Sequence, residues 1–108
     1  MRRRGLLAGC CLLLLVPAHV RGEEATGRRI AVEKCQPCHG IDGVALIPEA
    51  PHIAGQNRNY IVKQLMAFRD GARVDEKMTM PASLLSDEEI ADVADWYSSV
   101  RVTVAPVD

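Results

Sequence analysis

"CQPCHG", residues 35–40, sets two cysteines three positions apart and a histidine directly behind the second. On a helical turn, positions i, i+3 and i+4 share one side. Cys35, Cys38 and His39 therefore form one cluster of two thiols and an imidazole. Three chemistries use such a cluster: a redox dithiol, a zinc knuckle and covalent attachment of haem. A thioredoxin-like dithiol opens a helix after a strand inside a βαβ unit, and no strand pattern precedes Cys35. Tetrahedral zinc needs four ligands; beyond the cluster only His52 is on offer, and adjacent Cys38 and His39 would bind one ion awkwardly. C-x-x-C-H is the attachment signature of haem c. Its two thiols become thioethers to one edge of the porphyrin, and its imidazole reaches the iron.

Upstream of the cluster the chain reads as an export signal. Arg2, Arg3 and Arg4 precede an apolar run of 12, residues 5–16, too short for a bilayer span of about 20 residues. Small residues around Gly22 offer a cut before Glu23, which makes residues 1–22 the expected signal peptide and 23–108 the expected mature domain. Cys10, Cys11 and His19 then leave with the signal. Cys35 and Cys38 remain as the only thiols, and a disulfide across so short a loop would stabilise little. Losing Arg2, Arg3, Arg4 and Arg21 leaves nine basic residues against 14 acidic, a net charge of −5. That balance argues against nucleic acid or anionic lipid as partner. The placement expected for such an exported chain is the periplasm, with no stable membrane insertion.

Downstream the pattern is helical, without strand alternation or repeats. A first helix is expected over residues 25–35, carrying Ile30, Ala31 and Val32 into the cluster. Residues 40–55 are too rich in Gly and Pro for regular structure. A second helix should start at Asn57, a good N-cap, and stop at Gly71; Ile61, Leu65 and Phe68 recur along it at helical spacing, and Met66 reads as core packing. Ser86 and Glu89 form a capping box for a third helix. Ile90, Val93, Ala94 and Tyr97 mark its apolar stripe, while Asp92 and Asp95 should face solvent. Met78 and Met80 fall in the loop before it. A core this small is marginal by itself, and a large apolar group inside would make good the deficit.

Beyond the cluster, the pieces "PHIAGQ" (residues 51–56), "YIVKQLMAFRDGAR" (60–73), "MTM" (78–80) and "LSDEEIADVADWYSS" (85–99) occur in one order. In this the sequence resembles the bacterial class I c-type cytochromes, as a single-haem form of the group often built as two tandem domains. The resemblance implies an all-α fold: a small class I cytochrome c fold, three main helices and loops wrapped around one covalently attached haem c. It implies Cys35 and Cys38 as attachment points and His39 as one axial ligand. The family's ligand methionine precedes the "LSD" motif by seven residues, which selects Met78, with Met80 as the alternative. Pro51 should offer its carbonyl to His39, Ile53 should pack on the haem face, and Gly27 should let the first helix cross the third. The family's usual aromatic residue shortly before the first cysteine is missing; Ile30, Ala31 and Val32 occupy that stretch.

The function implied is a periplasmic electron carrier cycling between ferric and ferrous haem, with His/Met ligation. Its partners would be redox proteins: a dehydrogenase, an oxidase or a reductase. A haem subunit of such a complex is the nearest alternative, and a haem enzyme or gas sensor with an open sixth site a more distant one. No nucleophile–base constellation or glycine-rich phosphate loop suggests other catalysis. Arg58, Lys63, Arg69, Arg73 and Lys77 crowd the middle of the chain. They form either a basic ring for an acidic partner or a solvated mixed surface.

Overall fold

The computed structural model of the chain describes residues 19–108. Most of the expected signal peptide, residues 1–18, lies outside them. The described residues contain helices and loops but no strand. Helix α1 spans His19–Ile30 and runs through a π-helical turn, Ala31–Cys35, into the short α2, Gln36–His39. Helix α3 spans Arg58–Asp70, α4 Thr79–Ser83 and α5 Asp87–Ser98. The three main helices are those expected from the sequence, with two differences. The first begins earlier than residue 25 and widens before the cysteines. A short helix, α4, stands where a loop was expected.

Both differences have local causes. Pro37 brings no N–H, so the α-helical ladder cannot continue through that position. The chain widens instead: the Gln36 N–H reaches back to Ala31 O, which closes the π turn just before the motif. In α4, Pro81 sits in the first turn, where a helix has no use for its missing N–H. Fully buried Ala82 anchors that turn to the interior.

The predicted caps of α3 and α5 form. Asn57 Oδ1 accepts the Tyr60 N–H at 3.1 Å, and Gly71 closes α3 with a φ of 81°, in the left-handed region that favours glycine. Ser86 and Glu89 exchange both bonds of the capping box, at 3.1 and 3.3 Å. The stripe of α5, Ile90, Val93, Ala94 and Tyr97, is buried against Ile30, Ala31, Ile61 and Leu85. Ile30 and Ala31 thus fill the stretch where an aromatic residue is missing, while Val32 stays on the surface. Helix α1 crosses α5 at Gly27. A Cβ there would lie 2.2 Å from Asp92 O and 3.3 Å from Trp96 Cβ, so only glycine permits this approach.

On α5, Asp95 faces outward as expected, and its carboxylate also pairs with Arg58 at the start of α3. The pair joins α3 to α5 across the outside of the core, where both partners remain half exposed.

Candidate functional site

The packed core occupies one side of the domain. Facing it, between α2, the loop 40–57, α3 and α4, opens a cavity of about 580 Å³. Ile61, Leu65, Phe68, Leu85 and Val93 give it an apolar wall. Cys35, Cys38, His39, Pro51, Ile53 and Met78 line it as well, so the residues singled out around the motif converge on one space.

His39 is buried, 6 % exposed, at the end of α2. Gly40 turns the chain away there with φ 72°, and a Cβ at that position would meet Val44 O at 2.4 Å. His39 Nδ1 lies 2.9 Å from Pro51 O. A carbonyl only accepts, so Nδ1 carries the proton and Nε2 keeps its lone pair for a metal. Ile53 is half-buried and packs against the core beside the cavity.

The loop that brings Pro51 here is fastened by two side chains whose role sequence reading missed. Trp96 Nε1 donates to Ile41 O at 2.8 Å, and Tyr97 Oη donates to Gly40 O at 2.9 Å. Burial pushes the Tyr97 hydroxyl well above the ordinary phenol range and keeps it protonated as a donor. Their presence on α5 beside a Gly-rich loop was the available signal, but nothing local names the carbonyls they reach.

The two thiols are unpaired in the structure. Burial pushes the Cys35 thiol up to about 11, although the Tyr97 hydroxyl and the Lys34 charge act in the other direction. A redox dithiol needs the opposite, a thiolate favoured near neutral pH. Among the described residues no group of three or more His, Cys, Asp or Glu could hold a metal ion, as structural zinc would need.

Met78 is half-buried at the N-terminus of α4 and lines the same cavity as the motif. Asp75 fastens it: Oδ1 accepts the N–H of Met78 at 2.9 Å and of Lys77 at 2.8 Å. Those two bonds hold the Asp75 carboxyl below its ordinary range. Thr79 Oγ1 in turn accepts the Asp75 N–H at 2.9 Å. Sequence reading missed this clamp also. Met80 is 67 % exposed and takes no part in the cavity wall, and Met66 packs on the core.

The crowded cations of residues 58–77 are largely taken up within the molecule. Arg58 pairs with Asp95, and Arg69 with Asp87 at 2.7 Å and Asp70 at 3.0 Å. Arg73 donates to Gln64 Oε1 at 2.8 Å and lies over the Phe68 ring, 4.5 Å from its centroid. Lys77 is 3.9 Å from Glu49. The surface is mixed rather than a basic ring.

Two thiols, an imidazole with Nδ1 already bonded and a thioether, arranged around a mainly apolar cavity, match the donor set that holds haem c. The fold and this site define a class I c-type cytochrome. Residues 22–96 match the family described as "Cytochrome C oxidase, cbb3-type, subunit III", and the chain belongs to it. Members carry covalently bound haem c and transfer electrons. The chain is 37 % identical over 91 residues to cytochrome c4 of Pseudomonas aeruginosa, covering 84 % of this chain and 45 % of that protein. It is 42 % identical over 81 residues to cytochrome c-554(548) of Halomonas halodenitrificans, covering 72 % of this chain and 96 % of that protein. A third relative, from Stutzerimonas stutzeri, is named "Thiosulfate dehydrogenase electron acceptor"; identity is 37 % over 97 residues, 82 % of this chain and 44 % of that protein. The chain spans about half the length of the cytochrome c4 relatives it matches. No described helix is long and apolar enough to cross a membrane.

Proposed function

We propose that the chain is a periplasmic electron carrier whose single haem c is bound through Cys35 and Cys38 and ligated by His39 and Met78. One observation carries the ligand assignment. A buried imidazole with Nδ1 committed to Pro51 O shares a cavity with both thiols and with one methionine, Met78, while Met80 is turned outward. When bound, the haem supplies a one-electron ferric/ferrous couple.

The chain's own residues do the rest. Pro51 O fixes the His39 ring and raises its basicity as a ligand. Met78 supplies a soft neutral sulfur, which favours the ferrous state relative to a second histidine. The apolar wall from Ile61 to Val93 excludes water and lowers the local dielectric. His39 and Met78 both stand on segments fastened by hydrogen bonds, which would limit rearrangement of the ligands between oxidation states.

The natural partners are redox proteins of a dehydrogenase, oxidase or reductase type, a reading supported by relatives named as electron acceptors of thiosulfate dehydrogenase. The family's description as an oxidase subunit favours a second reading, a haem subunit fixed in such a complex. The test is a pyridine haemochrome spectrum of purified protein, followed by addition of carbon monoxide to the ferrous form. Two saturated vinyl groups and little response to carbon monoxide are expected. A ready reaction would replace the carrier by a protein with an open sixth site. Co-purification with a stoichiometric partner would favour the fixed subunit.

A further inference from the structure

Helix α3 turns Ile61, Gln64, Leu65 and Phe68 to the cavity. Three of them are apolar and buried or packed on the core, and the fourth is a half-buried amide. Leucine would serve packing there without the cost of desolvating an amide, so a glutamine in that place calls for a polar partner.

The amide is oriented from one end. Arg73 Nη1 donates to Gln64 Oε1 at 2.8 Å. A guanidinium carries only donors, so the atom facing it is the amide oxygen, and the amide nitrogen points away. Arg73 is itself held twice. Its backbone N–H donates to Ala67 O at 3.0 Å, and its guanidinium lies 4.5 Å from the centroid of the Phe68 ring. Arg73 therefore reaches Gln64 from the C-terminal end of the stripe. The amide N–H groups are turned to the other side, where Ile61 and Leu65 offer no side-chain acceptor.

A haem bound through Cys35 and Cys38 would occupy the space that these residues line, and it carries two kinds of acceptor: its carboxylates and the electron-rich face of its ring. We propose that Gln64, with Arg73 as its positioning residue, turns the positive end of its amide dipole toward the bound haem and raises the reduction potential. The inference deepens the electron-carrier reading and rests on its haem site. Ferric haem carries one more positive charge than ferrous haem, so a nearby positive dipole end disfavours the ferric form. In an apolar, water-poor cavity that effect is weakly screened. The Arg73 charge acts in the same direction, but it is exposed and solvent attenuates it. One electron enters from the redox partner on reduction and leaves on oxidation. No proton moves, and no bond to Gln64 forms or breaks.

Lys34, Glu49, Asp75, Glu76 and Lys77 also line the cavity, and changes at Gln64 leave them in place. Gln64→Leu keeps the bulk and removes the dipole. Gln64→Glu keeps an acceptor for Arg73 and replaces the N–H groups by negative charge.

The test is spectroelectrochemistry of the holoprotein at constant pH and ionic strength. At a fixed poise the ferrous-to-ferric ratio should be severalfold lower in Gln64→Leu than in wild type, and lower again in Gln64→Glu. Arg73→Met should lower the ratio in the wild-type background and much less in the Gln64→Leu background. In ferrous wild-type protein the haem ring current should displace the Gln64 side-chain amide protons from the positions of a solvated amide, a readout that needs no variant to fold. An upfield displacement puts them over the ring face, and a downfield one at its carboxylate edge. A wild-type ratio in Gln64→Leu overturns the proposal, even if the urea midpoint moves. So does a ratio in Gln64→Glu no lower than in Gln64→Leu, or amide protons at solvated positions. A preparation without thioether-bound haem would instead defeat the haem reading itself. A normal His/Met haem with an unchanged potential in both Gln64 variants defeats only the role of Gln64.

Discussion

The two flanks of the cavity are held in different ways. On the His39 flank the fastenings are long-range: Trp96 to Ile41 and Tyr97 to Gly40 join residues 55 and 57 positions apart. The Gly55 N–H adds another, to Tyr97 O at 3.0 Å. On the Met78 flank the side-chain bonds close on their own segment, from Asp75 to Lys77, Met78 and Thr79. Contact with the opposite flank is the exposed Lys77–Glu49 pair, and such pairs contribute little. Packing of α4 on α3, with the Arg69 guanidinium donating to Leu85 O at 3.3 Å just beyond α4, supplies the rest. A local clamp sets the shape of a loop but not its place over the cavity. Long-range bonds set both. Opening of the site should therefore begin at the Met78 flank, which has the lower local stability.

The largest effect that bears on this contrast comes from Cys35→Ala combined with Cys38→Ala. It removes the covalent tether of the group that would fill a cavity of about 580 Å³ in a small domain. Little folded protein is expected by circular dichroism, and no haem stain. A folded, haem-free double variant would show that the long-range bonds hold the His39 flank without help.

Next in size, Met78→Ala should keep the fold and the thioether haem. It should lose the sulfur-to-ferric-iron charge-transfer band and bind carbon monoxide when ferrous. Met80→Ala should keep the band, because its side chain stands 67 % exposed outside the cavity. The reverse pattern would reassign the ligand and remove the Met78 side of the comparison.

A smaller change, Tyr97→Phe, takes the hydroxyl donor from the buried Gly40 carbonyl, which keeps only the Gly43 N–H at 3.3 Å, and should cost about 1 kcal/mol. Urea denaturation would register this as a lower midpoint at unchanged slope. The charge-transfer band should persist, since the loss falls on the other flank.

The smallest effect on global stability is expected for Asp75→Ala. Its signature is local: carbon monoxide should enter ferrous protein severalfold faster, and Asp75→Asn, which keeps an acceptor oxygen, should restore most of the barrier. If Asp75→Ala lowered the denaturation midpoint as much as Tyr97→Phe, the distinction between local and long-range fastening would fail.

Much of this molecule is legible without coordinates because its signals are local. The cysteines and histidine share one side of a turn by spacing alone. Asn57, Gly71, Ser86 and Glu89 mark helix ends because a cap satisfies backbone groups within four residues of itself. Helical spacing likewise marked Ile90, Val93, Ala94 and Tyr97 as one buried stripe. The likeness to class I cytochromes then supplied the register that chose Met78 and the role of Pro51.

Other features needed the tertiary structure. Sequence patterning left residues 79–83 as loop, because a proline-containing turn gains its stability from burying Ala82 rather than from helix propensity. That turn also separates the methionines: residues two apart on a helix do not share a face, so Met78 meets the cavity and Met80 meets solvent. By sequence the basic residues between 58 and 77 fit a docking ring and a mixed surface equally, because the acidic residues of α5, which take up Arg58 and Arg69, lie far along the chain. The Trp96 and Tyr97 bonds, and that from the Ala45 N–H to His52 Nδ1, share this property. Their acceptors and donors are backbone groups, which every residue carries alike, so no side-chain pattern announces them. The sequence alone determined which atoms could bind a haem. Folding decided which backbone carbonyl orients the imidazole and which methionine turns inward, because both depend on contacts between segments that only packing brings together.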